Sequence, residues 1–279
     1  MISIIIPTFN RERTIKRAIE SCLNQTYKDI EVIVVDDCST DDTRQIVKNI
    51  NDKRLRYYKL DKNSGACEAR NKGIEFAKGD YIAFQDSDDY WKSDKLEKQI
   101  INLNKNNSDV DFCKISVIGE NKNKANVKPS VYDLYRIKFW GVKKALCYNS
   151  FISTQSIIGK KECFQNIIFD KNLPRLQDYD MMLRIISKYK VSITNEELAN
   201  VYVQEDSISR STEKLIKACK MMLQKKYELE DKDCCILRAS LNKILGDCYK
   251  NTDIEKSKYH YTISLKNKFN LKIFIKTLL

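Results

Sequence analysis

Within the first hundred residues, short apolar runs alternate with segments of helical periodicity, and few folds accept that order. Ile2–Ile6, Ile30–Val35, Leu55–Leu60 and Tyr81–Phe84 read as strands. Between the first two, Arg13–Asn24 places Ile15, Ala18, Ile19, Cys22 and Leu23 on one helical face. Asp41 and Asp42 are expected to cap a helix running to Ile50, because carboxylates favour a helix N-terminus. Ser64–Lys78 reads as a helix stopped by Gly79, and Ser93–Asn106 as the next one. Continuous apolar strands separated by helices predict an α/β fold, with a mostly parallel sheet flanked by helices.

The later chain is less regular. An Asn- and Lys-rich stretch, Asn104–Asp109, is a plausible boundary. Beyond it, Phe112–Ile118, Ser156–Gly159 and Leu198–Val203 are strand-like, and Tyr179–Lys188 is helical. From Thr212 onward the chain is helical, Lys-rich and almost free of breakers. The expected division is residues 1–106, residues 107–212 and a basic helical extension over residues 213–279.

Composition excludes several classes. At 279 residues, with 42% hydrophobic and 32% charged side chains, the chain can bury a core and is not globally disordered. Its ten cysteines include no CxxC pair, and His260 is the only histidine. A zinc site is therefore not expected, and reduced thiols suit a cytoplasmic protein. The start lacks a basic n-region and stops at Pro7, so it reads as a strand and not as a signal peptide. No apolar run is long enough to span a bilayer.

Charge is uneven. Residues 1–110 hold 19 basic and 19 acidic side chains, residues 111–212 hold 16 and 11, and residues 213–279 hold 15 and 8. The basic remainder suggests an anionic surface or acceptor. No nucleic-acid-binding signature is present, and no nucleic-acid partner is expected.

Each of the four strands is followed by a polar loop: Pro7–Arg11, Asp36–Asp41, Asn63–Gly65 leading to Ala69–Asn71, and Asp86–Asp89. Strand ends of an open α/β sheet share one edge, where ligands bind. Asp86 and Asp88, one residue apart, offer oxygen donors that hard divalent cations accept. Taken alone, such an acidic run is more often a solvated turn or a helix cap.

The runs IIIPTFNR, VIVVDDCSTDDT, NSGACEARNKGI, GDYIAFQDSDD and LQDYDMMLRI, in this order and spacing, resemble the family 2 glycosyltransferases. The resemblance is close over residues 1–100 and looser over 170–210. It implies the GT-A fold, a Rossmann-like nucleotide-binding sheet. It also implies an inverting, metal-dependent transferase that uses Mn²⁺ or Mg²⁺. Such an enzyme moves a hexose or N-acetylhexosamine from a nucleotide sugar, expected to be UDP-linked, to a hydroxyl of a glycan or lipid-linked acceptor in bacterial surface polysaccharides.

Residue by residue, the resemblance implies that Asp37 accepts a hydrogen bond from the base, and that Pro7 and Phe9 shape the base site. Asn63 and Arg70 would lie near the nucleotide. Asp86 would touch the ribose or the metal, Ser87 would lie against the nucleotide sugar, and Asp88 would be the direct metal ligand. Asp178 would be the catalytic base.

Two departures stand out. Gln177 occupies a position usually held by Glu, and Tyr202-Val203-Gln204-Glu205 lacks the family's usual His. Glu205 is either an oxygen ligand to the same metal or a solvated loop residue. Asp89, Asn71 and Asp180 read as structural. The departures keep a catalytically silent nucleotide-sugar-binding protein as an alternative. A sugar-1-phosphate nucleotidyltransferase needs a Gly-rich loop after the first strand, whereas the first glycine here is Gly65.

The tail Leu265–Leu279 mixes Lys with Leu, Phe and Ile. It is either a helix adsorbing peripherally to the anionic inner face of the cytoplasmic membrane, or one packed on the catalytic domain or a partner subunit.

Overall fold

A computed structural model provides the fold and describes residues 1–119, 125–203, 211–268, 270 and 273–274. The chain begins β1 (Ile2–Thr8), α1 (Ile15–Leu23), β2 (Ile30–Asp36), α2 (Thr43–Lys48), β3 (Leu55–Lys59), α3 (Ala66–Phe76) and β4 (Tyr81–Phe84). A two-residue β5 (Tyr90–Trp91) precedes α4 (Lys95–Asn106), β6 (Val110–Ile118) and β7 (Ala125–Lys128). Then come α5 (Val131–Tyr148), a 3₁₀ turn at Thr154–Ser156, β8 (Ile157–Lys160), α6 (Lys161–Asn166), α7 (Gln177–Lys188) and β9 (Val191–Tyr202). Helices α8 (Thr212–Gln224), α9 (Asp231–Tyr249) and α10 (Ile254–Asn267) follow.

The chain forms two compact units. The first comprises Met1–Ser130, Ile152–Lys171 and Lys188–Gln204. It holds one sheet of order β3-β2-β1-β4-β8-β6-β9-β5, with β7 on β6. The expected parallel arrangement runs through β3, β2, β1 and β4. Past β4 the sheet becomes mixed: β8 is antiparallel to both β4 and β6, while β9 runs parallel to β6.

The apolar runs explain this core. Every residue of β1 and β2 is buried. Ile2, Ile4, Ile6, Val32 and Val34 pack with Ile15, Ile19 and Leu96 on one face. Phe84 faces the other way, with Phe164 and Phe169 edge-on at 5.1 and 5.3 Å. Gly73 lets α3 approach β1: a Cβ there would lie 2.3 Å from Ile5 Cγ2. One local expectation is corrected. Asp42 makes no side-chain cap, and the amide of Thr43 instead donates to Asp41 Oδ1 at 3.0 Å.

The second unit comprises Val131–Phe151, Asn172–Ser187 and Glu205–Leu279. Its helices α8, α9 and α10 follow from the breaker-free, helical text. Gly246 on α9 admits the ring of Tyr261, which a Cβ would meet at 2.5 Å. The sequence did not announce α5. Gly141 interrupts it at φ 80°, and its outward face is aromatic where helical periodicity expects polar residues. All ten cysteines are free thiols. His260 packs between Tyr249 and Tyr259 and shares a 2.9 Å hydrogen bond with Asn242.

Candidate active site

Strands β1 to β4 point the same way, so their C-terminal loops line one edge of the first unit. Those loops are stitched together. The Asn10 amide donates to Ser39 Oγ at 2.9 Å, and Asn10 Oδ1 accepts from the Thr40 amide at 2.8 Å. Asn10 and Cys38 both adopt positive φ, a conformation Asn tolerates better than most residues. Pro7 is buried within β1, and Phe9 beyond it is exposed.

Adjacent Asp36 and Asp37 do different things. Asp36 is buried and braces the loop by accepting from the Ser39 amide (2.8 Å) and the Tyr57 hydroxyl. Asp37 clamps the next loop: its Oδ1 accepts from the Ser64 amide and its Oδ2 from the Gly65 amide, both at 2.7 Å. Gly65 sits at φ 89°, which only glycine adopts without strain, so the clamp and the glycine define this turn together. Asn63 precedes the clamp and is exposed.

The acidic loop sorts its three carboxyls by environment. Asp86 and Asp88 keep side-chain exposures of 27% and 22%. Asp86 Oδ1 accepts from Arg70 Nη2 at 2.6 Å, and Asp88 Oδ2 lies 3.8 Å from Arg11 Nε. Arg17 donates to the Asp88 carbonyl and stacks 4.2 Å over the Tyr202 ring. Asp89 is only 2% exposed and accepts from Gln155 Nε2 (2.6 Å) and the Tyr202 amide (2.9 Å). Burial, reinforced by neighbouring Asp86 and Asp88, pushes the Asp89 carboxyl well above the ordinary range. Ser87 is buried between the two outward acids.

Arg70 is held from behind. Its guanidinium lies 5.3 Å from the Phe169 ring. Asn71 fixes that segment by donating to the Phe169 carbonyl and accepting from its amide, each at 3.0 Å. Asn71→Ala leaves two buried backbone groups without these partners, so a loss of about 2 kcal/mol is expected. A shift in the urea midpoint at unchanged slope checks it.

The structure thus places Pro7 near the end of β1, Phe9, Asp37, Asn63, Asp86, Ser87 and Asp88 on the strand-end loops of the first unit, and Arg70 on α3, which follows one of those loops. Asp178 belongs to the second unit, at the start of α7, where its Oδ1 accepts from the Tyr179 amide at 2.8 Å. Glu205 lies outside the described residues. Sequence reasoning missed Arg17, Gln155 and Tyr202 as partners of the acidic loop. They lie 71, 66 and 113 positions from the residues they bind, so no local motif carries them.

Asp86 and Asp88 form an oxygen-only donor set that fits a hard divalent cation, whose remaining ligands would come from substrate and water. No group of three or more potential metal ligands occurs among the described residues.

The first unit thus combines a nucleotide-type α/β sheet with arginine-paired acids at its strand ends. The Glycosyl transferase family 2 model matches residues 3–162. The chain is 31% identical over 259 residues to the Escherichia coli UDP-Glc:alpha-D-GlcNAc-diphosphoundecaprenol beta-1,3-glucosyltransferase WfaP, covering 91% of this chain and 98% of that one. Staphylococcus aureus TarS 1–349, solved in complex with UDP-GlcNAc, superimposes with TM-score 0.71 at 22% identity, over 99% of this chain and 83% of that one. The mannosyltransferase PcManGT from Pyrobaculum calidifontis, solved with GDP-Man and Mn2+, gives TM-score 0.65 at 15% identity, over 98% and 77%. The chain belongs to glycosyl transferase family 2 and is a glycosyltransferase.

Proposed function

We propose that this enzyme transfers a hexose or N-acetylhexosamine, with inversion, from a UDP-sugar to a hydroxyl of a glycan or lipid-linked acceptor in bacterial surface polysaccharide synthesis. The observation that carries the reading is the Arg70–Asp86 pair beside Asp88, on the same sheet edge as the clamped Asp37. A relative that glucosylates a diphosphoundecaprenol-linked sugar supports a UDP-sugar donor and a lipid-linked acceptor.

Each proposed role rests on ordinary chemistry. Asp37 is already held by two amides, so its carboxylate is oriented before a base N–H arrives. Arg11, Arg17 and Arg70 surround the acidic loop and place positive charge where a leaving diphosphate gains negative charge. Asp86 and Asp88 would hold Mn²⁺ or Mg²⁺, which when bound supplies Lewis-acid stabilisation of that diphosphate. Asp178 would take the acceptor hydroxyl's proton, since an alcohol needs a carboxylate within reach to become a nucleophile. Direct displacement by that hydroxyl inverts the anomeric carbon. Work on a lipid-linked acceptor would place the enzyme at the inner face of the cytoplasmic membrane. No helix among the described residues is long and apolar enough to cross it.

A thermal-shift series with UDP-glucose, UDP-GlcNAc and GDP-mannose, each with Mn²⁺, tests the donor. Donor at about a hundred times Kd stabilises by roughly 2.7 kcal/mol, or about 5 °C or more for a chain of this size. A UDP-sugar should give that shift, and Asp88→Asn should remove its Mn²⁺-dependent part. A shift with GDP-mannose alone would reject the UDP assignment.

A further inference from the structure

The first segment of α5, before Gly141, carries its aromatic side outward. Tyr132, Tyr135 and Phe139 recur at helical spacing and are 80%, 60% and 59% exposed. The rings of Tyr135 and Phe139 meet at 4.4 Å, so they form one continuous patch. The sole acid of the helix, Asp133, is turned inward, buried and bonded to Arg136 and Asn149. Aromatic rings contiguous in water are unusual on a soluble surface and mark a contact site.

The charges around the patch identify the contact. Arg136 and Lys138 lie on the same helical segment as the patch, and Lys143 and Lys144 follow just past the break at Gly141. Lys138 Nζ lies 5.8 Å from the Phe139 ring, and Lys268 Nζ lies 3.9 Å from the Tyr148 ring and 5.9 Å from that of Trp140. Lys144 and Arg136 act electrostatically on Lys268, so the cations are clustered. Residues 213–279 of the same unit add 15 basic against 8 acidic side chains. Protein interfaces are depleted in Lys, whereas anionic lipid headgroups attract it, with aromatic rings seated at the headgroup level.

We infer that α5 docks this glycosyltransferase on an anionic bilayer, with Tyr132, Tyr135 and Phe139 inserted at the headgroup level and the neighbouring lysines on the lipid phosphates. This deepens the proposed function, resting on it for a lipid-linked acceptor that must be met at a membrane. It places the membrane contact in the second unit, on a helix well ahead of the basic tail.

Co-sedimentation of the full chain with 4:1 phosphatidylcholine:phosphatidylglycerol vesicles, against pure phosphatidylcholine, tests the docking. The wild type should bind the anionic vesicles and lose them in high salt. Tyr132→Ser/Tyr135→Ser/Phe139→Ser should lower partition by roughly tenfold or more. Lys138→Gln/Lys143→Gln should lower it by about fivefold per side chain at low salt. All substituted positions are at least partly exposed, and unchanged thermal unfolding verifies the fold of the variants. Equal binding to both vesicle types, or binding unchanged in the aromatic variant, overturns the inference. So does a wild-type oligomer, seen by light scattering, that the aromatic variant abolishes while vesicle binding is absent. The donor-induced thermal shift separates the two readings. It should persist in the aromatic variant, whereas its absence from a wild type that still binds vesicles would sink the donor assignment and leave the docking intact.

Discussion

Asp178→Asn is expected to lower sugar transfer by about a hundredfold to ten-thousandfold while leaving the UDP-sugar thermal shift unchanged. The substitution keeps the size of the side chain and one acceptor oxygen, and removes its charge and with it the ability to take a proton. Asn can still accept from the Tyr179 amide through its carbonyl oxygen, so the start of α7 should survive. The backbone there is already under tension: Leu176, the residue before the helix, adopts φ 62°, an outlier for a branched side chain. Its carbonyl nonetheless accepts the Asp180 amide at 2.9 Å and opens the helix. A strained turn that delivers a carboxylate to a helix N-terminus is consistent with a working residue. Initial rates with saturating donor and acceptor check the prediction. Full transfer activity in Asp178→Asn would remove Asp178 as the base.

Asp180→Ala should instead unfold the second unit, at a cost of about 3 kcal/mol, with no special effect on donor affinity in the molecules that remain folded. Asp180 is fully buried. Its Oδ2 accepts from Arg184 Nε and Nη2 at 3.0 and 2.7 Å, and its Oδ1 from Lys225 Nζ and the Tyr227 hydroxyl at 2.7 and 2.8 Å. One carboxylate thus ties α7 to the segment after α8. Burial and the adjacent carboxylate push the Tyr227 hydroxyl far up, so it stays a donor at every working pH. Alanine would leave that half-buried donor without its acceptor. Arg184 and Lys225 retain some solvent, which holds the cost toward the lower end for a broken buried pair. Asp180→Asn should fall between wild type and alanine because it keeps one of the two acceptor oxygens and loses the charge. Urea midpoints of the three proteins decide it, and a loss below about 1 kcal/mol in Asp180→Ala would refute the staple.

These two acids show how far the sequence can be read. Asp178 and Asp180 stand two positions apart: a family resemblance implies the catalytic role of Asp178, whereas Asp180 reads as structural because that spacing puts it on another helical face. Burial and four donors now give Asp180 a physical reason for its role. The strand-end loops were legible because β1, β2 and β4 are short apolar runs whose neighbours along the chain already imply the sheet. Helix α5 was not legible. Its outward face is apolar, which inverts the pattern that helical periodicity detects, and Gly141 divides it.

What the sequence by itself determined was the parallel first half of the sheet, the order of its loops, and the presence of acids at the strand ends. Those follow from interactions between residues close along the chain. Only the tertiary structure decided which acids of the Asp86–Asp89 loop face water. Gln155 and Tyr202, arriving from far along the chain, bury Asp89, while Arg70 and Arg11 pair with Asp86 and Asp88. A carboxyl's protonation and exposure depend on the donors and charges packed around it, and the fold alone brings those together.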